Sequence, residues 1–255
     1  MFDEPFATGD TIIHRLDPRA RLVAATLFSV VVAVSATPRA AVVALACACL
    51  VLAASRPRVL PLLKRLFVVN LFIVFLWLML PFSTPGETVR SIGPLAATQQ
   101  GIELALLISL KSNAIVLAFI ALVATSDAAT LGQAMYRLRV PGKLAFLFLF
   151  TYRFVQVVGE EFGRLRTAAR LRGFVPRTSM HTYRTVAALL AMVLAKSHDR
   201  AQRVHQAMLL RGFTGRFVSL REFRFRSSDA LFLGCMSGLC AGVAAVDVLT
   251  RGVHV

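Results

Sequence analysis

Between Leu66 and Phe82 the chain sets seventeen residues in a row with one polar side chain, Asn70, among them. Where no water reaches, a backbone must satisfy its own N–H and C=O groups, and a helix does this within a single segment. About 20 mostly apolar residues carry a helix through a bilayer core. Four further runs read the same way: Ala20–Ala36, Ala40–Ala54, Gly101–Thr125 and Ala230–Thr250. The first two are short and parted only by Thr37-Pro38-Arg39, which predicts a tight helical hairpin. The expected fold is therefore all-α and polytopic, with about five transmembrane helices.

Composition agrees in one respect and adds a puzzle in another. Of the 255 residues 57% are hydrophobic, against about 45–50% for an ordinary soluble domain. Yet the formal net charge is +16, which only a chain with its charge gathered in one place could combine with so much apolar surface. The charge lies between Asp127 and Ser228, where eighteen Lys and Arg face five acids. Apolar blocks in that stretch, Leu144–Phe150 and Val186–Ala195, are too short to span and too long to leave in water. They predict amphipathic helices under the membrane or packed on one another. One is expected from Pro141 towards Arg172, the second from about Thr182 to Arg211. The domains expected are thus a four-span bundle (1–126), a cytoplasmic helical segment (127–228) inserted before the last span, and a C-terminal transmembrane helix (229–255).

Basic residues also orient the chain. With the N-terminus inside, Arg15, Arg19, Arg21, Arg56, Arg58, Lys64, Arg65 and the long segment place 25 of the 29 cations on the cytoplasmic side. Short loops rich in Lys and Arg stay inside, so the first two clusters carry this reading. The first residues hold Asp3, Glu4 and Asp10 and no basic n-region, so the first apolar run is expected to remain as a membrane helix.

The two long helices end alike. Ala168-Ala-Arg-Leu-Arg-Gly-Phe-Val-Pro-Arg177 aligns without gaps to Ala207-Met-Leu-Leu-Arg-Gly-Phe-Thr-Gly-Arg216, with six of ten positions identical. The plain account is a pair of helix caps, since glycine suits the residue past a helix end and arginine the negative end of the dipole. The functional account is a pair of equivalent contact points for two similar partners, such as the two subunits of a dimeric ATPase. Arg172 and Arg211 supply planar forks that grip carboxylates, Gly173 and Gly212 turn the chain away, and Phe174 and Phe213 are expected to add apolar anchors.

These stretches, with His14-Arg-Leu-Asp-Pro-Arg-Ala-Arg-Leu22, Leu138-Arg-Val-Pro141 and Thr151-Tyr-Arg-Phe154 followed by Glu160-Glu161, resemble the T component of energy-coupling-factor transporters, of the cobalt/nickel (CbiQ-like) type. The resemblance runs from roughly His14 to Arg216. It implies a membrane scaffold whose coupling helices dock on two cytoplasmic ATPase subunits while a separate membrane S component captures the substrate. It also implies a bacterial inner-membrane location with a cytoplasmic N-terminus. The docking residues implied are Leu171, Arg172, Gly173 and Phe174 with Leu210, Arg211, Gly212 and Phe213. Leucine stands at 171 and 210 where the family often has alanine. Asp17, Pro18, Arg19, Arg153, Glu160 and Glu161 fall in the matching stretches as structural or coupling residues. Asp17 also reads locally as a helix cap with Pro18 in the first turn, and the resemblance adds pairing with a basic coupling helix.

Other polar groups are few. Lys111 lies inside the fourth apolar run, either snorkelling or hydrogen-bonded to another helix, or else meeting the S component or lining a transient path. Asp247, near the end of the last, is expected at the interface. The cysteines Cys47, Cys49, Cys235 and Cys240 sit in apolar runs and read as small buried hydrophobes. No catalytic residue, metal site or cofactor site is expected: His-Glu-x-x-His, Gly-x-Ser-x-Gly and Walker A patterns do not occur, so ATP would be hydrolysed by another chain. The aromatics Phe146, Phe148, Phe150, Tyr152 and Phe154 lie in a Leu-rich helical run, which argues against nucleic-acid stacking. A stand-alone permease or channel with a basic regulatory domain fits the composition but leaves the duplicated helix ends without a purpose.

Overall fold

The computed structural model describes residues 16–55, 57, 59–85, 88–92, 95–214 and 225–251. Expectations resting on His14, Arg15, Arg56, Arg58 and Arg216 lie outside them. The architecture is helical: α1 (Pro18–Val34), α2 (Pro38–Ser55), α3 (Val59–Ser83), α4 (Gln99–Leu122), α5 (Ala128–Arg137), α6 (Gly142–Leu171), α7 (Met180–Leu210) and α8 (Ser227–Arg251). The Pro- and Gly-rich loop after α3 contains what the sequence did not suggest, a two-stranded antiparallel hairpin. It pairs β1 (Thr88–Ile92) with β2 (Leu95–Thr98), Thr88 opposite Thr98 and Ile92 opposite Leu95.

Among the described residues five helices are long and apolar enough to cross a membrane: α2, α3, α4, α6 and α8. This differs from the expected set by one exchange. With 17 residues α1 spans about 26 Å, at the short limit for a ~30 Å core. The Leu144–Phe150 block, expected to be too short, is continuous with a 30-residue helix whose apolar stretch is long enough by length and composition.

The chain divides into two compact units. One comprises the described residues of Glu4–Ala134 and Glu222–Val255, the other those of Met135–Arg221.

In the first unit α4 packs on α1, α2 and α3, while α8 packs on α1 and α2. The core is built largely from small side chains: Ala24 and Ala25 of α1, Ala40, Ala44 and Ala48 of α2, and Ala114 and Ala118 of α4, around Phe28, Val32 and Leu122. Lipid tails are as apolar as leucine, so close approach of small residues, giving dispersion contacts, is what favours helix association here. Gly101 makes the point locally. A Cβ there would lie 2.7 Å from Leu80 O and Pro81 Cα, so only glycine lets α4 begin against the end of α3. The predicted α1–α2 hairpin is not a packed pair. The two helices touch little, because each finds its complement in α4 and α8. Cys47 and Cys240 join the core as expected, whereas Cys49 and Cys235 are exposed on the outer faces of their helices.

Along α3 only Ile73 and Pro81 are buried, and Phe67, Val68, Leu71, Phe72 and Leu78 stand open. Its inner side is tied to α4 by polar groups. Asn70 and Asn113 exchange amide hydrogen bonds, each 3.2 Å, and Trp77 Nε1 donates to Ser109 Oγ at 2.8 Å. Interhelical hydrogen bonds in membranes are worth about 0.6 kcal/mol on average and up to ~1.7. A double-mutant cycle of Asn70→Leu and Asn113→Leu, read by thermal unfolding in detergent, is therefore expected to give a coupling energy of about 0.6–1.7 kcal/mol.

In the second unit α6 packs on α7. Their starts and ends match the sequence reading to within two residues, and Ser179 caps α7 by accepting from Thr182 N–H.

Candidate functional site

The two long helices end in one backbone motif. Gly173 N–H donates to Arg170 O (2.9 Å) and Phe174 N–H to Ala169 O (3.1 Å). At the second end Gly212 N–H donates to Leu209 O and Phe213 N–H to Met208 O, both at 3.0 Å. These are the paired reverse bonds of a Schellman cap, with glycine in the left-handed region at φ +83° and +78°. A Cβ at either glycine would meet nothing within 4 Å, so the backbone angle, not crowding, selects glycine. The arginine before each glycine is the C-cap, Arg172 at φ −85°, ψ 14° and Arg211 at φ −87°, ψ 10°.

The side chains divide differently from the sequence reading. Phe174 and Phe213, expected to add apolar anchors, are half-buried and contact their own unit. The Phe174 ring sits 6.4 Å from that of His181, and the Phe213 ring stacks on Phe146 at 5.8 Å. They occupy the cap position that usually makes an apolar contact back to its own structure. What projects instead is the leucine before each arginine: Leu171 is 85% exposed and Leu210 90%. Arg172 and Arg211 are exposed too, and neither guanidinium has an ion-pair partner among the described residues. Each tip thus offers an open leucine and an open cation side by side.

Behind the second tip a groove of about 440 Å³ runs between α6 and α7, with Phe150, Phe154 and Met208 on its walls and Arg153, Arg200 and Arg211 around it. Arg153, singled out in the sequence, therefore shares a groove with a tip arginine. The neighbouring glutamates part company. Glu161 receives Lys196 Nζ at 2.5 Å and lies 3.9 Å from Arg164, tying α6 to α7, whereas Glu160 is exposed without an ion pair among the described residues.

Asp17, Pro18 and Arg19 belong to the other unit. Asp17 caps α1 by accepting from Arg19 N–H (2.9 Å), with Pro18 in the first turn as expected. Arg19 of the same helix holds this carboxylate at 2.6 Å. Burial pushes the Asp17 carboxyl up, but hydrogen bonds from Arg19 and the charges of Arg19 and Arg21 outweigh it and hold the group below the usual carboxylate range.

Lys111 donates from Nζ to Ala33 O (3.0 Å) in the last turn of α1, the negative end of that helix. Asp247, placed at an interface by the sequence, is buried at the α1–α2 turn. Its Oδ1 accepts from Ala36 N–H (2.8 Å), Thr37 N–H (2.9 Å) and Thr37 Oγ1 (2.9 Å). Sequence reasoning missed this role, although an acid inside an apolar run is a standing signal of a specific partner, and it missed Asp229, which stands just before that run. Among the described residues no group of three or more His, Cys, Asp or Glu could hold a metal ion.

The sequence model of the CbiQ family, described as a cobalt transport protein, matches residues 9–220. The chain is 27% identical over 250 residues to the energy-coupling factor transporter transmembrane protein EcfT of Heliobacterium modesticaldum, covering 94% of this chain and 92% of that one. It is 32% identical over 176 residues to the cobalt transport protein CbiQ of Rhodobacter capsulatus, covering 67% and 70%. With EcfT of Bacillus selenitireducens it shares 27% over 263 residues, covering 96% and 98%. The chain belongs to the CbiQ family and is a non-catalytic, multi-pass transmembrane T component of an energy-coupling-factor ABC transporter.

Proposed function

We propose that this T component couples ATP hydrolysis by two partner subunits to import of cobalt or nickel ions captured by a separate membrane S component. The observation that carries the coupling role is the pair of matching helix ends, each presenting an open leucine beside an exposed arginine that has no ion-pair partner among the described residues. One receptor groove, repeated on two like ATPase subunits, would meet the same surface twice. Arg172 and Arg211 would grip acidic groups in those grooves, and Leu171 and Leu210 would fill an apolar pocket beside each. The metal assignment follows the relative named as a cobalt transport protein and the description of the family.

The proposed orientation has the N-terminus and the long-helix segment (127–228) in the cytoplasm of a bacterial cell, where Lys64, Arg65 and most of the cations would lie. The bundle (1–126) and the last helix (229–255) would then hold the membrane. In that arrangement α1 crosses at its short limit. α6 stays below the bilayer because its second half carries Glu160, Glu161, Arg164, Arg166 and Arg170.

The test is capture of the ATPases by tagged chain, co-expressed with the subunits encoded beside it and purified in detergent. Absence of ATPase from the wild-type preparation would sink the coupling role. The leucines give a graded version of the same measurement. Truncating a packed apolar anchor at an interface commonly costs about 1–3 kcal/mol, so Leu171→Ala with Leu210→Ala is expected to weaken capture by roughly tenfold or more. Retention equal to wild type would limit docking to the arginines.

A further inference from the structure

One end of the bundle unit holds a buried polar knot that the docking tips do not use. Asp17, Arg21, Thr125 and Asp229 are 6%, 4%, 4% and 2% exposed. Asp17 N–H donates to Asp229 Oδ1 at 2.9 Å, and Asp229 Oδ2 accepts from Arg226 N–H at 2.8 Å. Arg21 Nη1 donates to Thr125 Oγ1 at 3.2 Å, while its Nε has no hydrogen-bond partner among the described residues. With Arg19 held by Asp17, the knot contains two carboxylates and two guanidinium groups and is electrically balanced.

These bonds fasten the first turn of α1, the residues just after α4 and the first turn of α8 to one another. Among the described residues the chain passes out of the bundle unit between Ala134 and Met135 and is back in it by Phe225. Thr125 follows α4, the last long bundle helix before the first crossing, and Asp229 opens α8, the helix after the second. The knot therefore joins the bundle segments that precede the first crossing and follow the second.

A buried guanidinium is a costly fastener if helix ends need only be held, because apolar packing of the same volume often serves as well or better. A guanidinium with a spare donor has a property that apolar packing lacks. It can pass between Thr125 and the two carboxylates as the helix ends rotate, without its charge being left unpaired.

We propose that Arg21 and Thr125, backed by Asp17 and Asp229, are positioning residues that deliver movement of the α6–α7 unit to the membrane helices. The proposal rests on the coupling role above, and its test separates the two. Complexes of the chain with its ATPase and S subunits are reconstituted in liposomes. Captured ATPase, ATP hydrolysis and cobalt(II) uptake are then each measured per assembled complex.

Thr125→Val keeps the shape and removes the acceptor. It is expected to leave capture and hydrolysis close to those of the unaltered complex while uptake per ATP falls about tenfold, within the range of coupling free energies between sites. Arg21→Met is expected to do the same, and Arg21→Lys, which keeps the charge, to recover part of the loss. Unchanged uptake per ATP in Thr125→Val and Arg21→Met overturns the proposal and leaves docking intact. Parallel loss of hydrolysis and uptake also overturns it, by reducing the knot to a structural support. If the unaltered chain captures no ATPase, the coupling role falls and this proposal with it.

Discussion

Charge reversal at both tips, Arg172→Glu with Arg211→Glu, is expected to reduce ATPase capture and metal uptake to background while the protein remains in the membrane in normal amount. Each substitution removes a cation from a tip and sets a carboxylate where the proposed partner has acidic groups. Loss of one member of a desolvated charge pair costs about 2–5 kcal/mol, so each tip would bind roughly 30- to several-thousand-fold more weakly. The fold should be indifferent to the change. Both arginines are exposed at helix ends without ion pairs among the described residues, and the Schellman bonds run through backbone atoms alone. Glutamate at a helix C-terminus costs a few tenths of a kcal/mol to ~1 through the dipole, far less than the expected binding loss. Single reversals are expected to fall between, since one tip still engages. Normal uptake by the double variant would reduce the tips to helix caps.

Asp247→Ala is expected to be the most destabilising single change in the bundle unit. One carboxylate oxygen accepts three hydrogen bonds at the α1–α2 turn, two from the backbone N–H groups of Ala36 and Thr37 that α2 has no carbonyl to satisfy. Hydrogen bonds to charged groups contribute about 1.5–3 kcal/mol each, and stranding buried donors costs a similar amount. Because partial rehydration recovers some of the loss, the expected cost is about 3 kcal/mol. That corresponds to a fall in Tm of about 6–12 °C for a chain of this size. Asp247→Asn keeps an acceptor at the site and is expected to cost about 1 kcal/mol. Thermal unfolding of the purified protein in detergent checks both, and equal Tm values for wild type and Asp247→Ala would show the turn to be held by other means.

What the sequence revealed was local chemistry. Asp17 before Pro18 read as a cap and is one, and the Leu-Arg-Gly-Phe repeats marked both long-helix ends because a Schellman cap is written in adjacent residues. Contacts between distant residues were hidden. The ring contacts of Phe174 with His181 and of Phe213 with Phe146 could not be read from adjacent residues, nor could the greater exposure of the leucines. The short helix α5 escaped notice because it lacks an apolar run, and the β-hairpin because a Pro- and Gly-rich stretch gives no alternating pattern. The sequence pairing of α1 with α2 failed for another reason. Neighbours in sequence need not pack when the Ala-rich face of α4 and the Met236, Cys240 and Val243 face of α8 offer the core contacts instead.

The bond between Asp247 and the α1–α2 turn also sets a clock. Its partners lie 210 and 211 positions earlier, so when they leave the ribosome their acceptor has not been made. At about 5–20 residues per second, the turn between the first two helices waits on the order of 10–40 s for the last helix. During that interval Ala36 and Thr37 must find water or another subunit, and α1 and α2, which scarcely touch each other, rely on α4 to hold them together. The bundle is thus closed by its final segment, and a chain interrupted before α8 would leave its opening turn unsatisfied for as long as it survived.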